Sequence, residues 1–333
     1  MRVRRTLPVG RGFAALLVLL CLAVLLSLAL GSSGLSLSEL AEGLRDPDAL
    51  AYRIVMYARL PRVLGGIVAG ASLAVSGALL QAVLNNSLAG PNIIGVNAGA
   101  GFATLLVMAL APYSASLMPA AAFAGALCAA LFIYAVARLS GASRTTIVLA
   151  GVAISSVVNA ASSVIKTLFP DIALSYTTFS IGSLSALSME QVRWASVYAA
   201  AGIVCAMLLS ADVNILALGD DTARSLGLSV QRCRFALLCT AAVLAGAAVS
   251  FGGLIGFVGL LVPHIARILF GSDNCVVIPA SALLGAVFLL LCDLIGRMIF
   301  APFEIHVGIV LSIVGGAYFV ALIIRRKGGR LDG

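Results

Sequence analysis

Few side chains in this 333-residue protein are equipped for chemistry, and their spacing excludes most of it. The two histidines, His264 and His306, have no histidine or glutamate partner at zinc-ligand spacing. Lys166 and Lys327 are the only lysines, and neither stands in the glycine frame of a phosphate-binding GxxxxGK[ST] loop. Seven cysteines form no CxxC pair, and most lie inside apolar runs, so they read as small buried hydrophobes. No catalytic residue, metal site or cofactor is expected, and any energy must come from another chain. What remains is a polar stretch over 212–234, where Asp220 and Asp221 follow Gly219 and Gly227 closes the segment. That order predicts an acidic N-cap, about two helical turns and a glycine C-cap. It reads either as a handle for a soluble partner or as a solvated loop that touches nothing.

The elements that must position these residues are membrane helices. Hydrophobic residues make up 62% of the chain, charged residues only 10%, and the mean hydropathy is +1.14. Soluble domains are roughly a quarter charged, so the chain is expected to be an all-α, polytopic membrane protein. The net charge of +8 does not indicate nucleic acid, because the arginines flank apolar runs rather than cluster with aromatics. Apolar runs of membrane length fall at about 13–31, 61–81, 93–111, 115–137, 145–167, 191–210, 233–251, 253–271, 276–296 and 305–324. The first follows Arg2, Arg4, Arg5 and Arg11, and its length favours a retained span over a cleaved signal peptide. Ten spans put both termini on one side. With that side cytoplasmic, it holds 14 of the 21 Lys and Arg residues, which favours an N-in, C-in orientation and puts 212–234 in the cytoplasm. Asp171, Glu190, Asp293 and Glu304 all fall near span ends, which argues against the alternative of an ion-coupled secondary transporter. Glycines at Gly66–Gly70 and Gly95–Gly99 read as close helix packing.

Arg59-Leu60-Pro61-Arg62 opens the second span; Pro61 suits a first helical turn, and the two arginines share one face at the outer interface. Gly77-Ala78-Leu79-Leu80-Gln81 leads into Asn86-Ser87-Leu88-Ala89-Gly90-Pro91, a helix-breaking loop. Leu218–Gly227 forms the polar segment, and Gly256-Phe257-Val258-Gly259-Leu260-Leu261-Val262-Pro263-His264-Ile265-Ala266-Arg267 follows. Asp293, Arg297 and Glu304-Ile305-His306-Val307-Gly308 complete the series. In this order the motifs resemble the FecCD-type permeases of iron-siderophore, haem and cobalamin ABC importers, from Arg59 to Leu322. The departures are Ser87, His306 and Ala317 in place of family prolines and Phe179 in place of a frequent tryptophan; they bear on substrate rather than fold.

The resemblance implies a single permease domain over 1–333, with a cytoplasmic coupling segment at about 212–231 and two copies sharing a pathway. It implies that Leu218, Gly219, Asp220, Asp221, Ala223, Arg224, Leu226 and Gly227 seat in a cleft of an ATP-binding subunit. Ala223 would allow close approach, Leu218 and Leu226 would supply apolar contacts, and Arg224 would meet an acidic group. Arg59, Arg62 and Arg297 would face acidic residues of a periplasmic binding protein; snorkelling to lipid headgroups is the alternative for Arg59 and Arg62. Asn85, Asn86 and Pro91 would shape an inner gate, or form an ordinary turn. His264, beside Arg267, reads as a packing residue near the cytoplasmic end.

Overall fold

The computed structural model describes residues 8–31, 46, 48–139, 141 and 143–328, and every regular element among them is helical. In chain order these are α1 (Val9–Ala29), α2 (Leu50–Val83), α3 (Val96–Leu110), α4 (Met118–Leu139), α5 (Arg144–Leu168) and α6 (Pro170–Ile181). They continue as α7 (Met189–Leu208), α8 (Ser210–Ala217), α9 (Asp220–Ser225), α10 (Val230–Gly252), α11 (Val258–Phe270), α12 (Asn274–Met298) and α13 (Val307–Gly328). Each of the ten apolar runs meets a helix. Seven of these, α1, α2, α4, α5, α7, α10 and α12, are long and apolar enough to cross a bilayer. At 15 and 13 residues, α3 and α11 fall short of the roughly 20 that a hydrocarbon core requires. Arg2, Arg4, Arg5, Arg45 and Arg330, which enter the charge count, lie outside the described residues.

The core sits around α2, which is buried along most of its length against α12, α10, α11 and α7. Small residues let the backbones close. A β-carbon on Gly77 would lie 1.9 Å from the carbonyl oxygen of Gly259, so any larger residue would drive α11 away. This is the packing expected where lipid removes the hydrophobic drive between helices. Pro61 does not open a span. The helix begins at Leu50 and passes through a π-helical turn, Ile54–Arg59, immediately before it. A proline ring crowds the carbonyl four residues back, and a wider turn relieves that crowding.

Between α10 and α11 the backbone is irregular but remains paired. Leu254 N–H donates to Phe179 O (3.0 Å), Ser183 N–H to Gly252 O (2.9 Å) and Gly308 N–H to Gly182 O (3.2 Å). The ends of α6 and α10 and the start of α13 are thus joined through main-chain bonds, the condition for irregular chain in apolar surroundings. Phe257 holds a positive φ of 65°, fixed by its ring against Gly315 and Phe319.

Candidate functional site

The segment from Ser210 to Leu228 is two short helices joined at Gly219, rather than one capped helix. Gly219, not Asp220, holds the N-cap position of α9, with φ 109° and no side-chain cap. The glycine C-cap is as expected. With φ 85°, Gly227 donates its N–H to Arg224 O (3.0 Å) and Leu228 donates to Ala223 O (3.0 Å), which is a Schellman pairing. Asp220 is freed for tertiary work. It accepts from Arg234 (2.9 and 3.0 Å), on α10, and from Arg144 (3.0 Å), the first residue of α5. Burial alone would raise its carboxyl, but the Arg234 hydrogen bond and the charges of Arg234, Arg144 and Arg224 outweigh this and hold it below the usual range.

A second clamp lies on α8. Asn214 Oδ1 accepts from the backbone N–H (2.8 Å) and amide (2.8 Å) of Asn274, and its Nδ2 donates to Asp273 (2.7 Å). Asp273 also caps α12 through Cys275 N–H (2.9 Å); the Asn214 bond first, then this one, draws its carboxyl below the ordinary range. Leu218 and Leu226 remain 63% and 59% exposed, and Asp221 pairs with Arg224 at the surface (2.9 Å). Ala223 is the correction: at 0% exposure it packs into this chain's own core and cannot offer a close approach to another protein. A six-residue helix must cover its own body with one face, and position 223 falls there.

At the far end of α12 the three arginines expected at the surface are turned inward, with Arg59, Arg62 and Arg297 only 5%, 8% and 2% exposed. Arg62 grips Asp293 with Nε (3.0 Å) and Nη2 (2.9 Å), while Nη1 reaches Glu304 (2.6 Å). Arg297 pairs with the same Asp293 (3.1 Å) and donates to Ser27 O (3.2 Å) and Leu30 O (3.3 Å). Arg59 donates to Leu28 O (2.6 Å) and Ala29 O (2.8 Å). The last carbonyls of α1, which no helical N–H can reach, are therefore satisfied by two guanidinium groups at the negative end of that helix.

Asn85–Pro91 is a tight turn: Asn85 has φ 47°, Asn86 Oδ1 accepts from Leu88 N–H (2.9 Å), and Pro91 opens a 3-10 turn to Ile94. Beside it, Gln81 donates to Gly259 O (3.2 Å) and Leu260 O (3.1 Å) and accepts from Arg267, so the two glycine-bearing motifs are tied across α2 and α11. His264 packs edge-on to Tyr318. Sequence reasoning missed Arg144, Arg234, Asn214, Asp273 and Asn274. Only Arg144 left a signal, since a cation in a first helical turn opposes the helix dipole and needs an outside partner.

Fold and motifs together define a membrane permease, and comparison with known proteins agrees. Residues 19–325 match the FecCD transport family, to which this chain belongs. The chain is 38% identical over 94% of its length to the ferric enterobactin transport system permease protein FepD of Escherichia coli, covering 95% of that protein. It is 34% identical over 96% of its length to the hemin transport system permease protein HmuU of Yersinia pestis, covering 98% of it. An inward-facing structure of a metal-chelate type ABC transporter superposes with a TM-score of 0.84 at 26% identity, over 95% of this chain and 99% of that one. The protein is thus an ABC-transporter permease, multi-pass in the bacterial inner membrane.

Proposed function

We propose that this chain is the membrane-spanning subunit of an ATP-driven importer of an iron complex (ferric siderophore or haem) or of cobalamin, with hydrolysis performed by a separate ATP-binding subunit. One observation carries the mechanical part: a short segment presents two exposed leucines and is clamped by polar side chains to α5, α10 and α12. Apolar contact at Leu218 and Leu226 would seat the segment in the ATP-binding subunit, with Asp221 and Arg224 at the rim. The N-in, C-in orientation favoured by the Lys and Arg bias would put it on that side of the membrane. Closure of the ATP-binding subunits would then move the clamped helices as a rigid body.

On the opposite face a periplasmic binding protein would dock near the cluster of Arg59, Arg62 and Arg297. These buried arginines, held by Asp293, Glu304 and the end of α1, would shape the docking surface rather than meet the partner directly. Two copies would enclose the pathway. α5 supports this through Asn159, whose exposed amide would be a poor neighbour for bare lipid. The bilayer solvates the remaining apolar faces. Bulky cargo would pass with few tight contacts, near an inner gate shaped by Asn85, Asn86 and Pro91.

The test is reconstitution with the ATP-binding subunit and binding protein in liposomes, offering ferric siderophore, haem and cobalamin in turn. Accumulation is expected only with internal ATP and with cargo-loaded binding protein. Uptake driven by an ion gradient without ATP would instead establish a secondary transporter.

A further inference from the structure

We propose that Asp220 is the joint through which motion of the coupling segment reaches α5, acting as a positioning residue through its ion pair with Arg144. The inference rests on the reading of Ser210–Leu228 as the seat of an ATP-binding subunit, and adds the route by which force leaves it.

The backbone is a poor route. Gly219 and Gly227 flank α9 at φ 109° and 85°, and a β-carbon built on either would meet nothing within 4 Å. Neither glycine packs a side chain against the body, and past the Schellman close at Gly227 the backbone leads from α9 only into α10, not to α5. What holds α9 to the body is its inward face, Ala223 in the core and the Asp220 carboxylate between two guanidinium groups. Arg234 ties Asp220 to α10, the helix that α9 already leads into. Arg144 ties it to α5, 76 residues away in sequence.

Nothing within α5 explains Arg144. A cation in the first turn faces the positive end of the helix dipole. Its side chain leaves the helix, pointing at Asp220 (3.0 Å) and at Leu216 O (3.4 Å), an end carbonyl of α8. α5 itself rests mainly on α3 and α4 and on the Pro91–Ile94 turn, and touches that turn without clearance. A β-carbon on Gly151 would lie 1.9 Å from Ile93 O. A pull on Arg144 thus tilts a helix that bears on the turn beside the expected inner gate. Meanwhile α8 stays fixed to α12 through Asn214 and Asn274. The chain of contacts runs from Leu218 and Leu226 through Asp220 and Arg144 to α5 and Ile93, a contiguous mechanical path whose parts can be cut singly.

The experiment measures ATP hydrolysis and uptake together in liposomes holding the complete importer. Arg144→Gln is expected to leave hydrolysis within about twofold of the unmodified protein while uptake per ATP falls about tenfold, the size of an ordinary coupling energy. Arg144→Lys, which keeps the charge, restores most of the ratio. Asp220→Asn lowers it as well, and adding Arg144→Gln to Asp220→Asn lowers it no further, because both cut one contact. Unchanged uptake per ATP in Arg144→Gln overturns the proposal, as does an additive double variant. Should Asp220→Asn fail to fold, Arg144→Gln and Arg144→Lys decide alone, since Arg144 is partly exposed at a helix end. The underlying reading fails separately: with Leu218→Ser and Leu226→Ser together, retained ATP-binding subunit and normal uptake would remove the seat itself.

Discussion

Asp293 stands between the guanidinium groups of Arg62 and Arg297, all three almost out of solvent, while Glu304 meets Arg62 from a more exposed position. Neutralising Asp293 takes the carboxylate from the buried Arg297 and leaves Arg62 only the more exposed Glu304, whereas neutralising Glu304 leaves Arg62 its main partner. Asp293→Asn is therefore expected to cost about 3–5 kcal/mol of stability, the usual penalty for breaking a buried pair. Glu304→Gln should cost far less. Thermal unfolding in detergent checks this, and equal losses in the two variants would count against the arrangement. The four-residue spacing of Asp293 and Arg297 put both on one helix face and was legible in the sequence. Arg62 lies 231 residues from Asp293, and no local pattern announces a contact at that separation. For the same reason Arg59 and Arg62 were read as facing outward: sequence shows that they begin a span, but not which side of the helix is covered.

Element-scale signals were clearest where the physics is local. The Schellman close at Gly227 was readable because it needs one glycine after an apolar-polar run. The split of the polar stretch into α8 and α9 was not, since it depends on Asn214 reaching α12 and Asp220 reaching α5. Ala223 shows the consequence. A small residue in a coupling segment suggested room for a partner, yet its side chain fills a site inside the permease. Ala223→Leu is expected to overpack that site and cost about 1–3 kcal/mol, with reduced thermal stability before any partner is added. Leu218→Ser with Leu226→Ser should leave the unfolding temperature nearly unchanged and release the ATP-binding subunit in pull-down. The opposite ranking would reverse the assignment of inner and outer faces.

At the scale of the whole molecule, the unequal burial of the helices is informative. α2 is enclosed on nearly all sides, whereas α5 is mostly exposed and carries Ser156, Asn159, Ser163 and Thr167 on one exposed face. The three hydroxyls bond back to their own helix (2.8, 3.0 and 2.9 Å), a device that also serves in lipid. Asn159 is the discriminating residue, because an exposed amide is costly against hydrocarbon and at ease beside a wet pathway. In a variant whose native cysteines are replaced, Asn159→Cys in the assembled importer should react with a membrane-impermeant thiol reagent. Val157→Cys, on another side of α5, should not; equal reactivity would place both faces in lipid or both in water. The sequence by itself determined the helical class, the ten apolar runs, the absence of an ATP-binding loop and the motif order of the family. All of these follow from composition and short-range spacing. Only the tertiary structure decided which arginines are buried, that Asp220 is a junction rather than a cap, and that Ala223 faces inward. Those facts depend on which helices lie side by side, and in a chain so uniformly apolar the pattern along one helix does not say which neighbour it meets.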